Sequence, residues 1–324
     1  MRRVSRLRMR AEVLAVRWSL LSIPLLPRPL LVAMAHAGGF LAYLLAVPQR
    51  RIGRANLDLA FGDRLTASAK RALLRQSFYT FALTLLDLFW FARNPRERIP
   101  RHITLGAGYD RLRTDHAHIC LTAHMGNWEL LGRATALMAA PLTSVAAPLE
   151  NLELQRLFER LRTDTGQRIV PSNGAFRALL RTLRSGGHVA LLLDQNTKPV
   201  EGGVFVEFFG LPAPMSTAVA ALHRHTGAPV MLGVCVPDRR GCYPLQVLRE
   251  LSLPDTAGLP ASEALTVITQ AIAHALEATI RARPGAWLWM YKRWKIALPG
   301  ERAGHYPFYS RPLKQRDLVP EKKP

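Results

Sequence analysis

Cysteine is scarce in this chain, with three residues in 324, and Cys120, Cys235 and Cys242 show no paired short spacing. That excludes a disulfide scaffold and a thiolate zinc site. Several catalytic signatures are missing as well. There is no Gly-x-x-x-x-Gly-Lys-Ser/Thr phosphate loop, no Gly-x-Ser-x-Gly elbow and no His-Glu-x-x-His pair, so neither an activated serine nor a bound metal is expected. Internal repeats are absent. Acidic residues number 23 against 44 basic ones, and only seven of the basic ones are lysine. Mean hydropathy of +0.04 excludes a polytopic membrane protein but leaves room for a single anchor.

What is present starts with a core. Hydrophobic residues make up 49% and charged residues 21%, enough apolar material to exclude general disorder. The formal charge of +21 suits an acidic partner: nucleic acid, an anionic membrane surface or a phosphorylated substrate. A GC-rich genome would also raise arginine without selection for binding. Position narrows the choice. Residues 1–57 hold ten arginines and one glutamate, so the excess is densest around the most apolar part of the chain. Nucleic-acid binders interleave basic and aromatic residues on a polar face; an anionic membrane is the expected partner, and no nucleic acid.

Residues 30–47 form an eighteen-residue run without formal charge, at the short end of what spans a bilayer. A cleaved signal peptide fits poorly, because the run is far from the terminus and Arg28 interrupts the apolar region. Arginines on both sides leave orientation open. Residues 1–57 therefore read as a basic, hydrophobic anchor that spans the membrane or lies in its interface, with a buried core helix as the alternative. Residues 69–93 suit a long helix apolar over more than half its circumference, and residues 95–115 read as loop.

Beyond residue 117 short apolar runs alternate with amphipathic segments. Strands are expected at 119–123, 143–147, 189–193, 229–236 and 243–248. Helices are expected at 130–138, 152–161, 175–183 and 262–280, the last capped by Ser262. This alternation predicts an α/β domain over residues 58–300, with a mixed, largely parallel sheet flanked by helices. The polar tail, 301–324, is expected to be loosely held.

The first strong strand ends in His124-Met125-Gly126-Asn127-Trp128-Glu129-Leu130. Residues five apart on one helix point about 140° away from each other, so His124 and Glu129 meet only if the chain turns between them. Gly126 and Asn127 are turn and cap residues, placing His124 on a loop and Glu129 in the first turn of a helix. There the dipole favours an ionised carboxylate, which would hold the imidazole as a general base. Spacing alone favours a structural histidine.

At these residues the chain resembles the bacterial lipid A biosynthesis acyltransferases. The resemblance rests on the His-x4-Glu block at His124 and Glu129, the basic segment at residues 51–57, and Arg162 with Gly166. Leu193-Asp194-Gln195, Gly203-Val204-Phe205-Val206 with Phe208-Phe209-Gly210, Thr217, and Gly227-Ala228-Pro229-Val230 continue it. Trp287-Leu288-Trp289 with Arg293-Trp294-Lys295 closes it. It implies a glycerolipid-acyltransferase-like fold on the cytoplasmic side of the inner membrane. The implied donor is a thioester on acyl carrier protein or CoA, the acceptor a hydroxyl of a phosphorylated glycolipid, and no cofactor or metal is needed. His124 and Glu129 are the candidate catalytic pair. Arg162, Asp194, Asn127, Phe205, Phe208 and Phe209 are candidate substrate-binding residues: Arg162 for phosphate through its planar fork, Asp194 to orient Arg162 or a backbone turn, the phenylalanines to line an acyl groove. Trp287, Trp289 and Trp294 suit either the lipid interface or ordinary packing. A lipid A precursor is the expected acceptor. Mannosyl-phosphoinositides, as acceptors for related enzymes, and a non-catalytic lipid-binding protein remain alternatives.

Overall fold

The computed structural model describes residues 6–114, 116–300 and 304–318. Helices come first: α1 (Arg6–Ser22), α2 (Arg28–Leu45), α3 (Val47–Phe61), α4 (Ala67–Trp90) and α5 (Pro95–His102). Then follow β1 (Ile103–Leu105), β2 (Ile119–Thr122), α6 (Trp128–Met138), β3 (Leu142–Ala146), α7 (Leu152–Thr163), β4 (Arg168–Pro171), α8 (Ala175–Arg184) and β5 (His188–Leu192). A hairpin of β6 (Gly203–Phe208) and β7 (Leu211–Ser216) leads to α9 (Ala218–Thr226), β8 (Val230–Gly233), β9 (Tyr243–Gln246), β10 (Leu248–Glu250) and α10 (Ala261–Ala282). The described tail adds β11 (Ile296–Ala297), β12 (Arg311–Pro312) and α11 (Gln315–Leu318).

The main sheet runs β10-β8-β2-β5-β3-β4, parallel except for the edge strand β10. Helical crossovers cover both faces of such a sheet, so its central strands are apolar throughout rather than alternating. All four residues of β2 and of β8 are buried. Their side chains still divide by the strand period of two. Ile119, Leu121, Val230 and Leu232 enter one core, with α8, α9 and α10; Cys120 and Met231 enter the other, with Leu130 and Leu131 of α6 and Leu83 of α4.

The helix α2 is long and apolar enough to cross a membrane, by length and composition. It lies lengthwise on α4, burying Leu31, Val32, Ala35, Gly39 and Tyr43. Glycine is required at the crossing, because a Cβ on Gly39 would sit 2.7 Å from Tyr79 Cα. The opposite face keeps Leu30, Met34, Phe40, Leu41, Leu44 and Leu45 exposed, continued by Leu14, Trp18 and Leu21 of α1. At the start of α2, Arg28 pairs with the buried Asp87 of α4, which also accepts from Tyr243 Oη and from Asn127 Nδ2 at 3.1 Å. One carboxylate thus ties the apolar helix to the loop that carries His124.

Three expectations need correction. Residues 95–115 are not plain loop: α5, β1 and a short 3₁₀ turn occupy much of them, and β1 pairs with β9, a partner 140 residues away that local pattern cannot show. The helix after residue 260 starts at Ala261, with Pro260 rather than Ser262 at its cap, since proline's fixed φ suits a helix start. In the tail, residues 304–318 are held in place. Asp317 is fully buried against Arg311 at 2.6 and 2.8 Å, and β12 pairs with β11. The rest of that tail lies outside the described residues.

Candidate active site

Register brings the site together. Strands β2 and β5 are parallel neighbours with Thr122 opposite Leu192. Two residues further on, at the carboxyl edge where open α/β sheets bind ligands, stand His124 and Asp194. Asp194 accepts from the backbone N–H of His124 at 2.9 Å, from its ring Nδ1 at 2.8 Å and from the Trp287 indole N–H at 2.8 Å. With Nδ1 protonated toward this carboxylate, Nε2 carries the free lone pair. The Gln195 side-chain amide lies 3.1 Å from that Nε2, where an incoming hydroxyl would have to stand.

The electrostatics follow. Burial disfavours the charged imidazole, yet the Asp194 charge, its hydrogen bond and the more remote Glu129 charge outweigh it and raise the His124 pKa. Burial would raise the Asp194 carboxyl, but His124 and the indole hold it below the usual carboxylate range. Both directions describe one pair whose ionised form is stabilised. His124 remains 20% exposed and Asp194 only 3%, so the imidazole is reachable and its carboxylate partner is not.

Behind His124 the chain turns as the sequence predicts. Gly126 has φ +63°, and a Cβ there would lie 1.9 Å from the Cys235 carbonyl oxygen. Asn127 then caps α6, its side chain accepting from Leu130 N–H at 2.9 Å. Thr84 of α4 donates to Gly126 O at 3.0 Å, and Leu288 N–H to His124 O at 3.0 Å. The loop is therefore clamped from α4, the stretch just after β8 and the segment after α10.

Glu129 does fall in the first turn of α6, but it is not the carboxylate that holds the imidazole. Its two oxygens accept from Arg162 Nη2 at 2.7 Å and Nε at 2.9 Å. The fork-to-fork geometry suits guanidinium and carboxylate, and Arg162 arrives from α7 to make it. Burial lowers the Arg162 pKa while the Glu129 bond raises it, with a net rise. Asp194 correspondingly orients His124 rather than Arg162.

Other expected substrate contacts are redirected. Asn127 is buried, its amide spent on the cap, Asp87 and Tyr243. Phe208 and Phe209 are buried among Trp287, Trp289 and Trp294 in edge-on and stacked pairs. They form core rather than a groove, and Phe205 is half-buried on β6. The three tryptophans are likewise interior: Trp287 is 1% exposed and the other two 0%. A hairpin between residues of separate local patterns had to fold over them, which no local signal announces. Trp287 and Gln195, both within the quoted motifs, were not expected to touch the site. A small apolar slot lies beside it, lined by Trp128, Glu129 and Arg162 together with Leu131, Leu142, Ile169 and Ala190.

Residues 3–296 match the family described as bacterial lipid A biosynthesis acyltransferase. The chain belongs to that family. It is an enzyme that transfers acyl groups. Among curated relatives, the phosphatidylinositol mannoside acyltransferase of Mycolicibacterium smegmatis is 30% identical over 229 residues, covering 65% of this chain and 72% of that protein. Proteins of the same name from Mycobacterium tuberculosis strains CDC 1551 and H37Rv are 30% identical over 183 residues, 55% of each chain. As a lipid A acyltransferase family member, the chain takes an acyl donor and a lipid acceptor.

Proposed function

We propose that this acyltransferase moves a fatty acyl group from a thioester, on acyl carrier protein or CoA, to a hydroxyl of an anionic glycolipid, with His124 as the general base. The observation that carries the reading is the His124–Asp194 pair beside an apolar slot. His124 Nε2 takes the proton of the acceptor hydroxyl as its oxygen attacks the thioester carbonyl carbon. The tetrahedral intermediate then collapses, the C–S bond breaks, and the thiolate takes the proton back from the imidazolium. Asp194 fixes the tautomer and stabilises the cation. The first methylenes of the donor's chain lie in the slot past Trp128. Glu129 and Arg162 form a polar clamp at its mouth that places the substrate headgroup.

A lipid A precursor is the first acceptor to test, on the family's description. A phosphatidylinositol mannoside is the second, on the relatives' names. The enzyme works at the cytoplasmic face of the inner membrane, with α2 lying in the interface. Its packing along α4 supports this, because a helix that spends one face on its own protein offers only the other to lipid. The test is transfer by purified His124→Ala with both acceptors. A loss of about 10²–10⁴ in rate is expected, with the melting temperature and vesicle binding of the wild type. Transfer within a few-fold of wild type overturns the reading.

A further inference from the structure

A second apolar cavity lies near the site. It is a groove of about 740 Å³ between α2 and α4, lined by Met34, Gly38 and Ala42 on one wall and by Phe81, Leu85 and Leu288 on the other. It differs from the slot in size and in access. The slot holds about 80 Å³ and is lined by residues of β2, β3 and β5. The groove opens where Met34 and Leu85 are themselves exposed, on the same face as Leu41, Leu44 and Leu45. Its inner wall meets the reacting centre twice. Leu288 N–H holds the His124 carbonyl at 3.0 Å. The Phe81 ring stacks on Trp128, which packs edge-on against the His124 imidazole at 4.9 Å between centroids. Trp128 also lines the slot, so one indole divides the two cavities.

We propose that this groove binds a hydrocarbon chain of the acceptor lipid as it enters from the bilayer, while the slot takes the reacting end of the chain being transferred. The inference rests on the acyl-transfer reading. A thioester donor brings one chain and needs one closed site. A lipid acceptor arrives with its own chains already in the membrane and needs a cavity continuous with the membrane-facing surface, which only an open groove provides. Charge agrees: past the groove, α3 carries exposed Arg51 and Arg54, suited to an anionic headgroup. Holding a chain in the groove places the attached headgroup over His124 Nε2 at a small entropic cost.

Gly38 allows a clean test. A Cβ there meets nothing within 4 Å, and replacing a mid-helix glycine favours the helix. Gly38→Trp therefore fills the groove without straining the fold. Full-length protein is bound to phosphatidylcholine vesicles containing phosphatidylinositol with a diazirine on one chain, irradiated, and mapped by mass spectrometry. Wild type is expected to give adducts at Phe81 or Leu288, the partly buried inner wall of the groove, reduced at least tenfold in Gly38→Trp and retained in Leu44→Trp, which alters the outer face alone. With an active acceptor, Gly38→Trp should raise KM for the acceptor about tenfold, the equivalent of about 1.4 kcal/mol, and leave KM for the thioester unchanged. Adducts confined to the outer face or to the slot, or undiminished in Gly38→Trp, overturn the proposal. Groove adducts in a protein that transfers no acyl group would leave the lipid site standing and overturn the acyl-transfer reading instead.

Discussion

Replacing Asp194 with Asn keeps shape and volume but removes an acceptor that three donors share: the His124 backbone N–H, the His124 ring and the Trp287 indole. One amide oxygen cannot serve all three, and the new NH₂ faces a donor. Two consequences follow. Leaving a buried donor unsatisfied costs about 1–3 kcal/mol, a moderate drop in melting temperature. The imidazole also loses the bond that keeps its proton on Nδ1, so Nε2 is protonated in part of the population. In the Ser-His-Asp triad the same change costs about 10⁴ in kcat, and about 10³–10⁴ is expected here. The pH profile separates this from simple unfolding. Asp194 raises the His124 pKa in the wild type, and the base works only when neutral, so the acid limb of the rate profile lies above the range of an ordinary histidine. Removing the charge lowers that pKa and moves the limb to lower pH. The assay is kcat/KM against pH for acyl-thioester consumption, with circular dichroism to check folding. A variant within tenfold of wild type, with an unmoved acid limb, would refute Asp194 as the orienting carboxylate.

Arg162→Lys should lose nearly as much turnover as Arg162→Ala, because an ammonium cannot reproduce the two parallel bonds to Glu129. Near-full turnover in the lysine variant, measured in steady state, would reduce Arg162 to general charge. Membranes carrying the full-length protein should retain it in 1 M salt, where the Debye length falls to about 3 Å but the exposed leucines of α1 and α2 still hold; release into the supernatant would show that charge alone attaches it.

Much of this protein follows from local pattern. The strands near 119–123 and 189–193, the helices near 130–138, 152–161 and 175–183, the turn at Gly126, the start of α6 beside Asn127 and the apolar length of α2 all depend on neighbours a few residues apart, and the sequence alone determined them; β4, the hairpin β6–β7 and α9 were not expected from it. Chemical type became legible through the resemblance: spacing alone favoured a structural histidine, and the motifs taken together pointed to a base. The partner of that histidine was not. Glu129 is five residues away and Asp194 seventy, and the carboxylate that reaches the ring was decided by strand order, which places β5 beside β2 in a register that sets position 194 against 124. Strand order depends on how the crossover helices pack, a sum over distant contacts with no local mark. The same holds for Trp287, Trp289 and Trp294. Their composition suits a lipid interface or a core with equal ease, and only the hairpin β6–β7 folding over them made them core.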